Sequence, residues 1–289
     1  MILALQDNSI AESLGVPPEI HAEDHLFRFL SQHPQLKDRA QEHYFKSARE
    51  SAERVRDLIL GNRVPHGLAK LNPRDFSLLD FASGFGMVNR HFRSVMPVAK
   101  IEACDIHPKA VEFHRQYLGL TCHLSSEDPR ALGIDRRYDV VLALSFFSHM
   151  PERLWLPWLE ALTARVNENG LLIFTTHGPS SAVSMGGNLV EKGVEFSFAP
   201  HSEQLDLDRD SYGTTYAHPR FAMDILRRLP GMHLSEFKMG AWWGGNQDVY
   251  VLVRRSGAAG AGNAVRSPAP PSVPAAPKSW IRRLWGLQA

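Results

Sequence analysis

From residue 76 onward, short apolar runs alternate with segments whose apolar residues recur at helical spacing. The runs cover residues 76–81, 100–105, 121–124, 138–144 and 171–176. Alternating strand and helix patterns are typical of a parallel sheet with helices on both faces. The run at 138–144 is apolar throughout most of its length, so we expect it at the centre of the sheet. The pattern therefore predicts an α/β fold with a doubly wound sheet.

The segment before this alternation is helical in its period. Residues 20–60 carry apolar side chains at helical spacing with charged residues between them, and Gly61-Asn62 is a stop signal. We predict an N-terminal helical extension, or lid, over residues 1–65. Tyr44 and Phe45 lie on its apolar face, which favours a place in the core.

The other elements follow from similar signals. A helix is predicted from Pro151 through Val166, ending at Asn169-Gly170, and another over 219–229. Two final strands, 233–239 and 248–254, are joined through 242–246 as a hairpin. Residues 178–218 break the alternation, and we expect them to form an insertion that covers the site and faces the substrate.

The C-terminal part changes in composition after residue 255. Residues 256–277 are mostly Ala, Gly, Pro and Ser, which predicts a disordered linker. Residues 278–289 form a basic amphipathic segment that could dock on a membrane surface or a partner protein, with a tail without function as the alternative.

Composition narrows the class of protein. The 289 residues are 44% hydrophobic and 22% charged, with 32 Lys and Arg against 31 Asp and Glu. We expect one catalytic domain over residues 66–255 and no nucleic-acid partner. The two cysteines are expected in strands as buried side chains, and we expect no metal site. No targeting or membrane-spanning pattern is present, so we expect a cytoplasmic protein, with peripheral membrane association through the tail as an option.

The sequence Asp80-Phe81-Ala82-Ser83-Gly84-Phe85-Gly86 places a glycine-rich turn between a strand and a helix. Gly84 and Gly86 allow the backbone to approach a nucleotide closely. Asp105 follows nineteen positions after Gly86, at the end of the next strand. A carboxylate there can accept hydrogen bonds from both hydroxyls of a ribose, and it can also cap the helix that opens at Pro108.

Together with the later segment 138–145, these motifs make the chain similar to class I S-adenosylmethionine (SAM)-dependent methyltransferases over about residues 76–255. The resemblance implies a Rossmann-like seven-stranded sheet with an antiparallel last strand, and SAM as the cofactor. It departs from the family pattern at Ala82, where a glycine is usual. The cofactor-binding residues that it implies are Asp80, Ala82, Gly84, Gly86, Asp105, Ile106, Ser126, Glu127, Leu144 and Ser145. In this family, helices before the first strand often cover the cofactor, so contact with Tyr44 and Phe45 is a second option.

Two histidines follow neighbouring strands at the same edge of the predicted sheet. If the methyl acceptor is a hydroxyl, a base must take its proton, and histidine can do so near neutral pH. We predict His177 as this base ahead of His149, and O-methylation of a small molecule or glycan. The alternatives are an NAD-dependent oxidoreductase, which Asn89 at the third position of G-x-G-x-x-G disfavours, and a non-catalytic cofactor-binding scaffold.

Overall fold

The computed structural model describes residues 1–3, 7–63, 76–96, 100–183, 189–202, 204 and 206–255. The predicted linker at 256–277 and the predicted docking segment at 278–289 lie outside the described residues.

Within the described residues, nine strands form two sheets. They are β1 (Ser77–Phe81), β2 (Lys100–Asp105), β3 (Thr121–Leu124), β4 (Tyr138–Ala143), β5 (Val166–His177), β6 (Phe196–Ala199), β7 (Thr214–Ala217), β8 (Met232–Trp242) and β9 (Gln247–Arg254). Seven of them build the main sheet, in the order β3-β2-β1-β4-β5-β9-β8. The strands β1 to β5 pair in parallel, whereas β9 lies between β5 and β8 and is antiparallel to both. The predicted doubly wound sheet with an antiparallel last strand is confirmed.

Helices cover both faces of this sheet. They are α1 (Ser9–Leu14), α2 (His25–Gln32), α3 (Ala40–Arg63), α4 (Asn89–Val95), α5 (Pro108–Phe113), α6 (Glu152–Thr163), α7 (Pro179–Ala182) and α8 (Pro219–Leu226). Successive residues of a strand point to opposite faces, so Leu79 joins the core packed on α6 and α8, while Leu78 joins the core packed on α3 and α4. The β1 strand is buried along its whole length, as a central parallel strand requires.

The N-terminal extension is helical as predicted, but its helical pattern is interrupted at residue 33. The structure ends α2 at Gln32 and begins α3 at Ala40, with a short 3₁₀ turn between them. His33 is extended, because a residue before proline avoids the helical region. Tyr44 and Phe45 are fully buried in the core between these helices, and neither lines the large cavity of the molecule.

One boundary in the centre of the chain was predicted wrongly. The helix that follows Pro151 ends at Thr163, and Val166 is already the first residue of β5. The chain reverses at Ala164 and Arg165, where the Arg165 guanidinium donates to the carbonyls of Leu132 and Ile134. Val166 continued the helical spacing in the sequence, although here it pairs with Tyr138.

The insertion is more regular than its turn-rich sequence suggests. Its described residues contain α7 and an antiparallel pair, β6 and β7, in which Phe198 pairs with Thr215. In the part of the chain that the structure describes, no helix combines the length and apolar character needed to cross a bilayer.

Candidate active site

A cavity of about 650 Å³ opens at the carboxyl ends of β1, β2, β4 and β5. The N-terminal helices α2 and α3 form one wall, and the insertion forms another. All of the predicted cofactor-binding residues except Gly86 line it, and so do His149 and His177. Carboxyl ends of parallel strands are the usual place for ligands in open α/β sheets, and the volume is typical of small-molecule sites.

Gly86 has a packing role. Its φ is +73°, and a Cβ at this position would lie 2.3 Å from Leu118 Cδ1 and 2.9 Å from His114 Nε2. Only glycine fits here, because the turn packs against the segment that follows α5. The sequence identified this glycine correctly as a constrained position but could not distinguish packing from ligand contact.

The turn itself is fixed on the end of β2. Ser83 N donates to Cys104 O over 3.1 Å, and Gly84 N donates to Asp105 Oδ2 over 2.7 Å. Ala82, where the family pattern has glycine, adopts φ +57°, which strains a residue that carries a Cβ. A Cβ at Gly84 would meet nothing within 4 Å, so the backbone here borders open space that a ligand can fill.

Asp80 is a buried acid at the base of the cavity. Burial and, to a smaller extent, the nearby charge of Asp105 raise its pKa to about 8, whereas a hydrogen bond from Asn89 opposes the shift. Asp80 is therefore largely protonated at neutral pH when no cation lies beside it.

Asp105 lies at the end of β2, and each of its carboxylate oxygens accepts a hydrogen bond from a backbone N–H. Oδ2 accepts from Gly84 N, and Oδ1 accepts from His107 N and His107 Nδ1, each over 2.9 Å. A carboxylate has about four lone-pair positions, so this group keeps acceptor capacity for a further ligand hydroxyl.

The loop after β3 forms the outer rim. Ser126 Oγ accepts from Asp128 N over 3.1 Å, which fixes the turn, while Glu127 is exposed. Both residues line the cavity, as does Ile106 on the neighbouring loop.

Ser145 is held by a ring of hydrogen bonds that sequence reasoning missed. Its φ is +58°, and its N–H donates to Thr175 Oγ1 over 2.7 Å. The Thr175 hydroxyl donates to Gln247 Oε1, and Gln247 Nε2 and Trp243 Nε1 donate to Ser145 Oγ over 2.9 and 3.0 Å. The ring connects β4, β5 and the β8–β9 hairpin, so it fixes the end of the central strand beside the cavity.

His149 and His177 are both oriented by backbone carbonyls of the insertion. His149 Nδ1 donates to Gly213 O over 2.7 Å, and His177 Nδ1 donates to Thr215 O over 3.2 Å. A carbonyl only accepts, so Nδ1 carries the proton and Nε2 of a neutral ring keeps its lone pair. Burial, and then the proximity of His149, lower the pKa of His177 to about 4. His177 is therefore neutral at physiological pH.

The wall beside the histidines is apolar. It was not predicted in detail, because its side chains come from α6 and the insertion. Tyr212 stacks on His149 with ring centroids 4.6 Å apart and an interplanar angle of 6°. Met150, Leu154 and Trp158 also line this part of the cavity.

No protein-family model matches the chain, and no curated protein matches it in sequence. Solved structures do match it in fold. One is magnesium protoporphyrin IX methyltransferase from Synechocystis PCC 6803 with bound SAH, at TM-score 0.51 and 16% identity over 79% of this chain and 92% of that chain. Another is a SAM-bound amino pentose methyltransferase from Micromonospora echinaspora, at TM-score 0.51 and 15% identity over 76% of this chain and 97% of that one.

The strand order and these likenesses define the class of fold. The chain has the Rossmann-like α/β fold of class I SAM-dependent methyltransferases, as its motifs predicted. The first of these structures contains SAH, and the second contains SAM.

Proposed function

We propose that the protein is a SAM-dependent methyltransferase that methylates a hydroxyl of a small, largely apolar acceptor. One observation supports this most directly. Residues 80–85 of the glycine turn, Asp105 and the two carbonyl-oriented histidines line a single continuous cavity. A fold alone does not define a function, so the proposal rests on this site.

The residues present fit the cofactor. Open space beside Gly84 admits a ligand against the backbone, and Asp105 retains acceptor capacity for a further ribose hydroxyl. Asp80 supplies a buried carboxyl that becomes a carboxylate beside a cation. When bound, SAM supplies a methyl group activated by a sulfonium cation.

The protein itself must then position the acceptor and remove its proton. Methyl transfer is an in-line displacement, so the walls of the cavity must align the acceptor oxygen and exclude water. His177 takes the acceptor proton at Nε2, while its Nδ1–H stays on Thr215 O. His149 is the second candidate for this role, because it has the same Nδ1 arrangement.

The acceptor class follows from the wall around the histidines. Met150, Leu154, Trp158 and Tyr212 offer apolar and aromatic surface, whereas a glycan would need several polar partners for its hydroxyls. An uncharged, ring-bearing alcohol or phenol fits this surface better than a sugar. We therefore favour a small molecule over a glycan.

Calorimetry tests the cofactor assignment. We expect S-adenosylhomocysteine to bind the full chain and NAD not to bind. Asp105→Ala should weaken the binding at least about tenfold, since it removes a charged acceptor. Asp224→Ala, which removes a carboxylate that pairs with Arg227 at the surface of α8, is the matched control. Heat of binding with NAD, and none with S-adenosylhomocysteine, would overturn the proposal in favour of an oxidoreductase.

A screen of acceptors tests the reaction. Transfer of labelled methyl groups from SAM to phenols, alcohols, amines and sugars should appear first with phenols or apolar alcohols. Methylated amines without methylated hydroxyl compounds would contradict O-methylation. Tight S-adenosylhomocysteine binding without turnover of any acceptor class would favour the scaffold alternative.

A further inference from the structure

Three segments that are distant in sequence bring potential metal ligands together at the rim of the cavity. His25 is the first residue of α2, His107 follows β2, and Asp206 belongs to the insertion. His107 Nε2 lies 3.2 Å from Asp206 Oδ2, and His25 Nε2 lies 3.9 Å from Asp206 Oδ1. One ligand atom from each residue lies within 4.8 Å of the other two.

The His107 ring is already held as a ligand would be. Its backbone N–H and its Nδ1 both donate to Asp105 Oδ1 over 2.9 Å, which fixes the ring and leaves Nε2 with its lone pair. Metal-binding histidines usually donate their second ring nitrogen to a carboxylate in this way.

The contact between His107 and Asp206 needs a positive charge between its atoms. The Nε2 atom is buried and makes no hydrogen bond to any described residue, although a carboxylate oxygen lies 3.2 Å away. A nitrogen lone pair that faces a carboxylate oxygen is repulsive unless a cation lies between them. A metal ion bound by both atoms supplies this charge, as a proton on Nε2 would.

The N-terminus of α2, which carries His25, is fixed by hydrogen bonds of the residue before it. The preceding residue, Asp24, caps α2 by accepting from Phe27 N, and it is fixed by the Tyr44 hydroxyl over 2.6 Å. The His25 and His107 rings lie 5.4 Å apart and tilted by 46°, so both can contact one ion.

We propose that His25, His107 and Asp206 bind a divalent transition-metal ion of the Zn²⁺ type. Two imidazole nitrogens and one carboxylate suit such ions, whereas Mg²⁺ and Ca²⁺ prefer oxygen ligands alone. Tetrahedral Zn²⁺ with bonds of about 2.0–2.2 Å holds its ligand atoms about 3.3 Å apart, close to the His107–Asp206 spacing. The carboxylates of Asp105 and Asp206 balance the charge of the ion.

The ion joins α2, the end of β2 and the insertion across the cavity rim. His25 belongs to the wall formed by α2 and α3, and Asp206 belongs to the insertion, so the metal ties the two walls together beside the glycine turn. The proposal does not depend on methyl transfer, and its test needs no acceptor.

The test uses the full chain without a histidine tag at neutral pH. Zn²⁺ is titrated in competition with a chromophoric chelator, and Co²⁺ binding is followed by its visible absorption. We expect one ion per chain, at least tenfold weaker binding in His25→Ala and in Asp206→Asn, and no response to Mg²⁺.

Two variants control for general loss of surface ligands. His233→Ala removes an exposed histidine of β8, and Asp224→Asn removes an exposed carboxylate of α8, and neither should change the affinity. Circular dichroism checks that every variant is folded. Absence of Zn²⁺ binding to the wild-type chain, or unchanged binding in both ligand variants, would overturn the proposal.

Discussion

His149 and His177 lie with their ring centroids 6.2 Å apart, and each donates its Nδ1 proton to a carbonyl two residues from the other's partner, Gly213 O and Thr215 O. The insertion therefore sets the tautomer of both rings at the end of the sheet. The insertion and the proposed base are therefore coupled through these two backbone carbonyls.

His177→Gln should lower kcat by about 10²–10⁴-fold with little change in the KM for SAM, because it removes the group that accepts the proton. The measurement is steady-state kinetics with the acceptor found in the screen. His233→Gln, at an exposed site on β8, is the matched control and should retain full activity. A larger loss in His149→Gln than in His177→Gln would assign the base to His149.

The pH profile of kcat should reflect the low pKa of His177. A base with a pKa of about 4 remains deprotonated throughout the range above it, so activity should stay level as the pH falls from 8 to about 5. An acidic limb centred near 6.5, the ordinary histidine value, would contradict this assignment.

Binding of SAM at pH 7 should release a proton from Asp80. The carboxyl has a pKa of about 8 in the free protein, and a cationic ligand beside it favours the charged form. Calorimetry in buffers of different ionisation enthalpy should show release of up to about one proton, and affinity should rise as the pH goes from 6 to 8. Asp80→Asn should abolish the release, whereas Asp128→Asn should retain it.

Asp248→Asn should stabilise the protein above pH 6. Asp248 is fully buried, and Oδ1 accepts from Gly240 N while Oδ2 has no partner among the described residues. Burial raises its pKa to about 6 from 3.8, so the unfolded chain loses this proton first as the pH rises. The free energy of unfolding should fall by up to about 3 kcal/mol between pH 4 and 6 from this group.

Urea denaturation of the wild type and of Asp248→Asn measures this effect as the difference between their free energies of unfolding. The free energy of unfolding of Asp248→Asn should exceed that of the wild type by about 1–3 kcal/mol at pH 7.5 and equal it at pH 4. The Asn side chain keeps the Oδ1 acceptor for Gly240. Equal stabilities at both pH values would show that folding does not raise the pKa of Asp248, and would contradict the prediction.

Ala82→Gly should raise the free energy of unfolding by about 0.5–1 kcal/mol. A left-handed backbone costs an L-residue about 1–2 kcal/mol, and the greater freedom of glycine in the unfolded chain offsets part of the gain. Ala161→Gly in α6 is the contrasting control and should destabilise by about 1 kcal/mol or more. A loss of stability in Ala82→Gly would contradict the strain at this turn.

The sequence predicted the elements that depend on local pattern. The bounds of β3 match residues 121–124, and the hairpin of β8 and β9 was expected from its two apolar runs around Trp242 and Trp243. The end of α6 was wrong, because Val166 fits both a helical period and the first pair of β5. Periodicity cannot separate these alternatives where a helix meets a strand.

The candidate site was predictable around the glycine turn and less so elsewhere. The glycine turn and Asp105 follow each other at a recognisable spacing, and both line the cavity. The Thr175, Gln247 and Trp243 contacts to Ser145 join residues that are far apart in the chain. His25, His107 and Asp206 likewise come from three segments that are distant in sequence, so no local pattern predicts that they lie close together.

The position of β9 has a consequence for synthesis of the protein. It is the last strand of the described chain, yet it lies between β5 and β8 and pairs with both. While the ribosome has made only the chain before Gln247, the edge of β5 has no partner and β8 has no place in the sheet. The two strands beyond β5 must therefore join the sheet late, and an exposed β5 edge makes the nascent chain a candidate for chaperone binding.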